Sequence, residues 1–392
     1  MLAHERGRDS HIGGADLRVA THRHPSAHAP NPPHTLPTRR AARRDALTLL
    51  GPPPPIRSAA LEPLASDAFR GRRCLVTGGL GFIGSNLVLS LVRAGADVTV
   101  VDALFPRHGG DRRNLDGVGP GAVRVIEGDL AVPDARTAAA EAECIFNLAG
   151  QVSHVDSMAD PTFDLDVNTR NHIVLLEELR AHNPDARVVF TSTRQLFGRP
   201  RYLPVDEDHP VAPVDVNGIT KYAAEQLHLL YGESYGIAAT VVRLTNVYGP
   251  RQRLRDDFQG FLPIFVRRAL LDEPILVFGE GTQQRDCLYV DDVVECLLLA
   301  AHSPDAPGQV FNVGNDEHLA LRELAEMIID AAGSGSIEFV PWPPDRDAID
   351  IGSYFGDSSK AKRLLGWVPD TEFGDGIRRT VEFYRRHGEW YR

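Results

Sequence analysis

The chain has 392 residues, of which 43% are hydrophobic and 24% are charged. This ordinary globular composition excludes wholesale disorder and predicts two or three domains, or one large α/β unit with an appendage. The 42 basic and 53 acidic residues give a net charge of −11, which argues against nucleic-acid binding by bulk electrostatics.

The lengths of the apolar runs and the spacing of the cysteines argue against further classes of protein. No apolar run reaches the roughly 18 residues that a membrane span needs, so we expect no membrane segment. The 4 cysteines form no CxxC pair, which argues against a zinc site or a disulfide scaffold and predicts no metal site. Cysteines used in this way are typical of a reducing cytoplasm, where we expect the protein to reside.

The chain begins with a segment unlike the rest and continues as an alternation of strands and helices. Residues 1–68 are rich in His, Arg, Pro and Ala without hydrophobic periodicity, which predicts a disordered tail. Strands are then predicted at Arg73–Thr77, Ala96–Asp102, Val123–Glu127, Cys144–Leu148, Arg187–Thr191 and Ala239–Leu244, and helices at Gly81–Ala94, Thr162–Ala181 and Thr220–Tyr235. This alternation predicts an α/β fold with a doubly wound parallel sheet.

Beyond Gly249 the alternation of predicted strands and helices is less regular. Helices are predicted at Phe261–Leu271, Val290–Ala301 and Leu321–Ala332, and short strands at Ile275–Phe278, Val310–Val313 and Ile337–Val340. We therefore predict a Rossmann domain at residues 70–245, followed by a smaller C-terminal α/β lobe at residues 246–392 that binds the substrate.

A glycine-rich turn joins the first predicted strand to the first helix. Gly78 permits the tight turn, Gly81 lets the backbone approach a pyrophosphate, and Gly84 lets the helix pack closely on the strand. The helix that starts with Phe82 and Ile83 offers unpaired N–H groups and a partial positive charge to the phosphates. The turn therefore predicts dinucleotide binding.

An acidic residue at the end of the second predicted strand supports this interpretation. Asp102 can accept hydrogen bonds from the adenosine ribose, and its carboxylate repels a 2′-phosphate. NAD is therefore favoured over NADP, although Arg107 nearby weakens the preference.

Several more segments match one family in the right order. They are Gly128-Asp129-Leu130, Asn147-Leu148-Ala149-Gly150, Ser153-His154-Val155-Asp156 with Asn168, the run from Arg243 to Arg251, and Arg285-Asp286 followed by Tyr289 to Val293. Over about residues 72–385 the chain resembles the extended short-chain dehydrogenase/reductase family, in particular its nucleotide-sugar epimerases and dehydratases. The resemblance implies NAD as the cofactor, a nucleotide-diphosphate sugar as the substrate, and a homodimer.

The resemblance also assigns binding residues. It places Asp129 and Leu130 beside the adenine and Ala149 beside the cofactor. Substrate contacts fall on Asn246, Arg251 and Arg285, and arginine suits a diphosphate because its guanidinium forms bidentate hydrogen bonds.

The catalytic residues match the family only in part. The family uses a Ser or Thr with Tyr-x-x-x-Lys, and Thr193 and Lys221 occupy the first and last of these positions. Asn217 stands where the tyrosine belongs, and an amide does not titrate. Arg194 and Gln195 replace the Asp-Glu pair that the sugar 4,6-dehydratases carry after the Ser or Thr, which disfavours dehydration.

Three accounts of catalysis remain open at this point. Another group replaces the tyrosine, with His154 as first choice and Tyr202 as second, because histidine transfers protons near neutral pH. Alternatively, Asn217 orients the substrate while Thr193 and water relay the proton. In the third account the protein binds NAD and nucleotide sugar without the usual turnover.

The function predicted from the sequence is therefore an NAD-dependent, epimerase-like modification of a nucleotide sugar through transient oxidation at C4. A reductase of 4-keto sugars is the nearest alternative. A binding protein without catalysis is the alternative from a different class.

Overall fold

The computed structural model of the protein describes residues 68–106, 108, 110–255, 260–343, 350–388 and 391. The tail predicted for residues 1–68 lies outside these ranges except for Ala68, and Arg107 also lies outside them. Within the described ranges, no helix is both long enough and apolar enough to cross a membrane. The four cysteines are buried and form no disulfide.

A seven-stranded parallel sheet forms the centre of the fold. Its strands are β1 (Arg73–Thr77), β2 (Asp97–Asp102), β3 (Val123–Glu127), β4 (Cys144–Asn147), β5 (Arg187–Thr193), β6 (Ala238–Leu244) and β10 (Val310–Val313). They are arranged in the order β10-β6-β5-β4-β1-β2-β3, and all neighbours are parallel. The predicted doubly wound Rossmann sheet is confirmed. The strand order reverses between β1 and β4, which is where such sheets bind ligands.

Helices cover both faces of this sheet. They are α1 (Phe82–Arg93), α2 (Pro133–Glu141), α5 (Asn171–His182), α6 (Val216–Tyr235) and α8 (Val290–His302), whereas the short helices α3 (His154–Ala159) and α4 (Pro161–Leu165) pack against α6. Along β1, Cys74 and Val76 join the hydrophobic cluster under α1 and α8, whereas Leu75 joins the cluster under α2 and α5. Successive side chains of a strand point to opposite faces, so this short run is apolar throughout.

The rest of the C-terminal region forms a further apolar cluster. Its elements are β7 (Asn246–Tyr248), α7 (Phe261–Leu270), β8 (Pro274–Phe278), β9 (Gln284–Tyr289), β11 (His318–Ala320), α9 (Leu321–Ala332), β12 (Ser336–Val340) and α11 (Phe373–His387), whereas α10 (Ser359–Leu365) packs with β10 and α8 at the main sheet. Helices α7, α9 and α11 supply most of the buried side chains of this cluster. Because β10 and α8 return to the main sheet, the chain after residue 245 contributes to both parts.

Two helices differ from the sequence prediction, one in its first residue and one in its continuity. Helix α6 begins at Val216 rather than Thr220, because the Asp215 carboxylate caps it and accepts a hydrogen bond of 2.7 Å from the Gly218 N–H. The helix predicted over residues 162–181 is interrupted by a π-helical turn at Asp166–Arg170, which separates α4 from α5.

Trp367 provides a test of the core. Its side chain is fully buried, and the indole Nε1–H donates to the Asp292 carbonyl at 2.9 Å. We expect Trp367→Ala to lower the free energy of unfolding by about 3–5 kcal/mol, measured by urea denaturation. The neighbouring Val368 is 54% exposed, so Val368→Ala is the matched control and should change stability by less than about 0.5 kcal/mol. Equal losses in the two variants would contradict this packing.

Candidate active site

A cavity of about 320 Å³ opens at the carboxyl ends of β1, β2, β4 and β5. Apart from Tyr202, all the residues predicted from the sequence to bind the cofactor or to act in catalysis line it. They are Gly78, Gly81, Phe82, Ile83, Gly84, Asp102, Asp129, Leu130, Ala149, His154, Thr193, Asn217 and Lys221. Residues that are up to 143 positions apart in the chain therefore meet in one cavity because parallel strands end at the same edge of the sheet.

The glycine turn has the shape that a pyrophosphate requires. Gly78 has a φ of +67°, which strongly favours glycine. A Cβ on Gly84 would lie 2.2 Å from the Gly78 carbonyl oxygen, so no larger residue fits without moving the turn. Gly81 caps α1 without a side-chain hydrogen bond, which leaves the N–H groups of the first turn available to an anion.

Asp102 retains capacity to bind a ribose. Its two carboxylate oxygens accept hydrogen bonds from the backbone N–H groups of Leu80 at 3.0 Å and Leu104 at 2.9 Å. Burial raises the pKa of Asp102, and these two hydrogen bonds only partly offset that effect. A carboxylate has about four acceptor positions, so two remain for ribose hydroxyls.

Lys221 is a buried cation in the wall of the cavity. Its Nζ lies 4.5 Å from the centroid of the Phe190 ring, and within the described part of the chain no hydrogen bond from Nζ is found. Burial lowers the pKa of Lys221 to about 8, although the nearby carboxylates of Asp164 and Glu225 act in the opposite direction. An ammonium group held in this way has its donors available for a ligand in the cavity.

Asn217 uses its amide nitrogen within the protein. Nδ2 donates to the Gln151 carbonyl at 2.8 Å and to Asp164 Oδ2 at 3.3 Å. Its backbone N–H donates to Ser157 Oγ at 3.2 Å. Only the amide oxygen is left to contact a substrate. This oxygen can accept a hydrogen bond, but an amide cannot take up a proton from the substrate.

His154 lies beside a carboxylate that the protein holds in place. His154 Nδ1 is 3.1 Å from Asp215 Oδ2, although the nitrogen lies off the line of an ideal hydrogen bond. Asp215 is buried, and it also accepts a hydrogen bond of 3.0 Å from Gln195 Nε2. The histidine side chain is 34% exposed and faces the cavity, so the ring joins a buried carboxylate to the space that a ligand would fill.

The surroundings of Asp215 favour its ionised form beside His154. Burial alone would raise the pKa of Asp215, but the contact with His154 and the hydrogen bonds from Gly218 and Gln195 outweigh it, so the pKa is lowered. The lowered pKa of Asp215 favours its carboxylate form, which lies beside Nδ1 of His154, and Nε2 is the ring nitrogen that does not contact this carboxylate.

Comparison with known proteins decides the family. The profile described as "NAD dependent epimerase/dehydratase family" matches residues 74–314. The chain belongs to this family. The UDP-glucose 4-epimerase of Mycolicibacterium smegmatis is 33% identical over 323 residues, which cover 81% of this chain and 100% of that protein.

Solved structures of family members have the same fold. The UDP-glucose 4-epimerase of Thermotoga maritima, determined with UDP-glucose, is 31% identical, with a TM-score of 0.72 over 80% of this chain and 99% of that chain. The UDP-glucuronic acid 4-epimerase of Bacillus cereus, in complex with UDP-glucuronic acid and NAD, has a TM-score of 0.72, 25% identity, and coverage of 80% and 99%. NAD is the cofactor of the family, and the glycine turn, Asp102 and Lys221 of this chain fit it.

Tyr202, the second choice from the sequence for the group that carries the proton, does not face the cavity. Its hydroxyl donates to Asp206 Oδ1 at 2.7 Å, and its ring is 43% exposed and does not line the cavity. The structure therefore does not support that choice, because proximity to the motif along the chain does not bring the loop over the site. Tyr222 packs against the cluster around Leu196 and Phe197.

The three predicted substrate residues lie outside the lining of the cavity. Arg251 donates to the Asn114 carbonyl at 3.1 Å and to Asn86 Oδ1 at 2.9 Å, so it joins two parts of the Rossmann domain. Arg285 is buried and donates to the carbonyls of Gln284 and Gly352. Their substrate contacts remain predictions, and the geometry of Arg251 does not favour one.

Asp215 is the main site residue that the sequence analysis missed. It precedes α6 by one residue, and an aspartate in that position is a helix N-cap signal that also fixes the start of the helix. Reading this signal would have placed Asp215 at the carboxyl edge of the sheet, although only the structure brings it to His154.

The buried charge of Lys221 predicts a pH-dependent cost in stability. Its pKa falls from the ordinary 10.5 to about 8, so between these values the unfolded chain binds more protons and stability rises with pH. We expect Lys221→Met to raise the free energy of unfolding at pH 7 by something on the order of 2–3 kcal/mol, with a gain that shrinks towards zero near pH 10.

Urea denaturation of the protein without added NAD measures this effect. Lys362→Met is the matched control, because Lys362 forms a more exposed ion pair with Asp316. Its effect should stay below about 1 kcal/mol at both pH values. A gain in Lys221→Met that does not change with pH would contradict the assignment of a buried charge.

Proposed function

We propose that the protein is an NAD-dependent nucleotide-sugar epimerase in which His154, held by Asp215, replaces the tyrosine of the family. The observation that carries this proposal is the 3.1 Å contact between His154 and Asp215 in the cavity that Thr193 and Lys221 also line. His154 supplies a titratable group for proton transfer, which the amide of Asn217 cannot provide. The proposed reaction oxidises C4 of the sugar to a ketone and reduces it again from the opposite face.

The chain provides a complete set of contacts for the cofactor. The N–H groups after Gly81 would hold the pyrophosphate, Asp102 the adenosine ribose and Lys221 the nicotinamide ribose. When bound, NAD accepts the hydride from C4 and later returns it. Retention of the cofactor between these two steps distinguishes an epimerase from a reductase, which must exchange it in every cycle.

Proton transfer falls to His154. Nε2 accepts the proton of the sugar 4-hydroxyl as C4 is oxidised, and it returns the proton when the ketone is reduced. Asp215 stabilises the imidazolium that forms and fixes the orientation of the ring. The Thr193 hydroxyl, which accepts a hydrogen bond of 3.1 Å from the Gln195 N–H, can donate its own hydrogen to the sugar oxygen.

Two residues argue against dehydration as the main reaction. Gln195 donates its amide to Asp215, and Arg194 carries a guanidinium, so neither residue supplies the carboxyl group that water elimination requires. The hypothesis of a binder without turnover was based on Asn217. The His154–Asp215 pair removes that reason.

The first test of this proposal uses His154→Gln and Asp215→Asn. We expect His154→Gln to lower kcat by about 100-fold or more, because a general base is lost. Asp215→Asn keeps a side chain that can cap α6, so a smaller fall in kcat with normal folding is expected. Turnover is followed on a panel of UDP-, dTDP- and GDP-sugars, and binding of NAD by calorimetry.

The control for this test is His302→Gln, since His302 is exposed at the end of α8. It should leave kcat unchanged. Full activity of His154→Gln would show that another group carries the proton. Failure of the parent to convert any sugar while it binds NAD would favour the binding protein, and rapid exchange of NAD in every cycle would favour the reductase.

The proposal includes a homodimer in the cytoplasm. Large apolar side chains are exposed on the helices beside the site: Met158 on α3, Leu165 on α4, Ile173 on α5, and Ile219 and Leu230 on α6. Ile219 and Leu230 are about three turns apart on α6 and therefore share one face of the helix. A second copy of the chain is the occupant proposed for this surface, in agreement with the resemblance to dimeric family members.

The assembly is tested with the double variant Ile219→Asp, Leu230→Asp. Two charges in an apolar interface should convert the dimer into a monomer, measured by light scattering with size-exclusion chromatography. Val368→Asp is the control, because Val368 and Ile219 are both 54% exposed. A monomeric parent, or a double variant that remains dimeric, would contradict the proposed interface.

A further inference from the structure

Arg194 directly follows Thr193 and is joined to a residue of the next strand. Its Nη2 donates to Asn246 Oδ1 at 3.1 Å. Thr193 pairs in register with Leu244, so Arg194 and Asn246 lie just beyond the carboxyl ends of β5 and β6. Their neighbours Thr193, Thr245 and Val247 line the cavity, which places the pair at its border.

Both side chains of this pair have a buried donor without a partner. Arg194 Nη1 and Asn246 Nδ2 are shielded from solvent and make no hydrogen bond. Buried N–H groups are nearly always paired, because an unpaired one loses its hydration without compensation. Two such groups on side chains that already contact each other therefore indicate a ligand that accepts hydrogen bonds.

The charges around the pair favour an anion. The Arg194 guanidinium lies 5.0 Å from the centroid of the Tyr354 ring, and within the described residues no carboxylate forms a salt bridge with it. Burial and the charge of Arg194 lower the pKa of Arg285 to about 10. The buried carboxyl of Asp286 accepts hydrogen bonds from the Thr245 hydroxyl and the Gly356 N–H; burial raises its pKa to about 6, and the charge of Arg194 acts in the opposite direction.

We propose that Arg194, together with Asn246, binds an anionic oxygen group of the nucleotide sugar, either a phosphate of the diphosphate or a carboxylate on the sugar. The inference rests on the proposed function, because it takes the ligand of the cavity to be a nucleotide sugar. A phosphate or carboxylate presents two oxygens, which can accept from Arg194 Nη1 and Asn246 Nδ2 at the same time. Where the dehydratases carry an acid, this chain thus has a cation that selects its substrate.

Calorimetry on the full chain in the presence of NAD tests the inference with three probes: UDP-glucose, UDP-glucuronate and inorganic pyrophosphate. The variants are Arg194→Gln, which removes the charge, and Arg194→Lys, which keeps it. Arg386→Gln is the control, because Arg386 pairs with Glu382 on α11 away from the cavity. Thermal unfolding and the affinity for NAD confirm that each variant is folded.

A loss of about tenfold or more in the affinity of Arg194→Gln, with partial recovery in Arg194→Lys, supports the inference. If only UDP-glucuronate is affected, the ligand is a sugar carboxylate; if all three probes weaken alike, it is a phosphate. Affinities that stay within about twofold for every probe, or a parent chain that binds none of them, overturn the inference. Pyrophosphate binding that depends on Arg194 in a protein that converts no sugar would refute the proposed function while it supports this inference.

Discussion

The contact between His154 and Asp215 is the constraint on which the proposed chemistry of this site depends. In the proposed mechanism Asn217 stands in place of the tyrosine, so the cavity needs another group that transfers protons, and this role is proposed for a histidine oriented by a buried carboxylate. Asp215 performs two tasks at once, because one oxygen caps α6 and the other contacts His154. The start of a helix that carries Lys221 and the position of the proposed base are therefore fixed by the same side chain.

The site contains two cationic groups with N–H donors that a bound ligand could accept from. Lys221 is buried with a lowered pKa, and Arg194 has a buried N–H group without a partner. Both residues destabilise the fold when considered alone, and both face or border the cavity. A nucleotide sugar and a dinucleotide together carry the phosphates and hydroxyls that the side chains of Lys221 and Arg194 can bind. The loss of stability that these two residues cause is therefore consistent with selection for function.

The sequence predicted the elements where one physical signal dominates. Strands β1 and β10 and helix α9 lie where buried apolar runs or helical periodicity placed them. Strand β9 was missed because it contains Gln284, Arg285 and Asp286, and the burial of the two charged residues depends on partners elsewhere in the chain. Pairing of β10 with β6 and the contact of Asp215 with His154 could not be predicted, since local patterns carry no information on which distant segments meet. The glycine turn and Asp102 were predictable because cofactor chemistry restricts their residue types at fixed places.

The distance between His154 Nε2 and the sugar 4-hydroxyl, in a crystal structure of the protein with NAD and a converted nucleotide sugar, tests most directly whether His154 carries the proton. If His154 is the base, the two atoms lie within about 2.6–3.2 Å, with Asp215 still on the opposite nitrogen of the ring. A 4-hydroxyl in contact with a different titratable side chain, or with Thr193 and water alone, would contradict this role of His154.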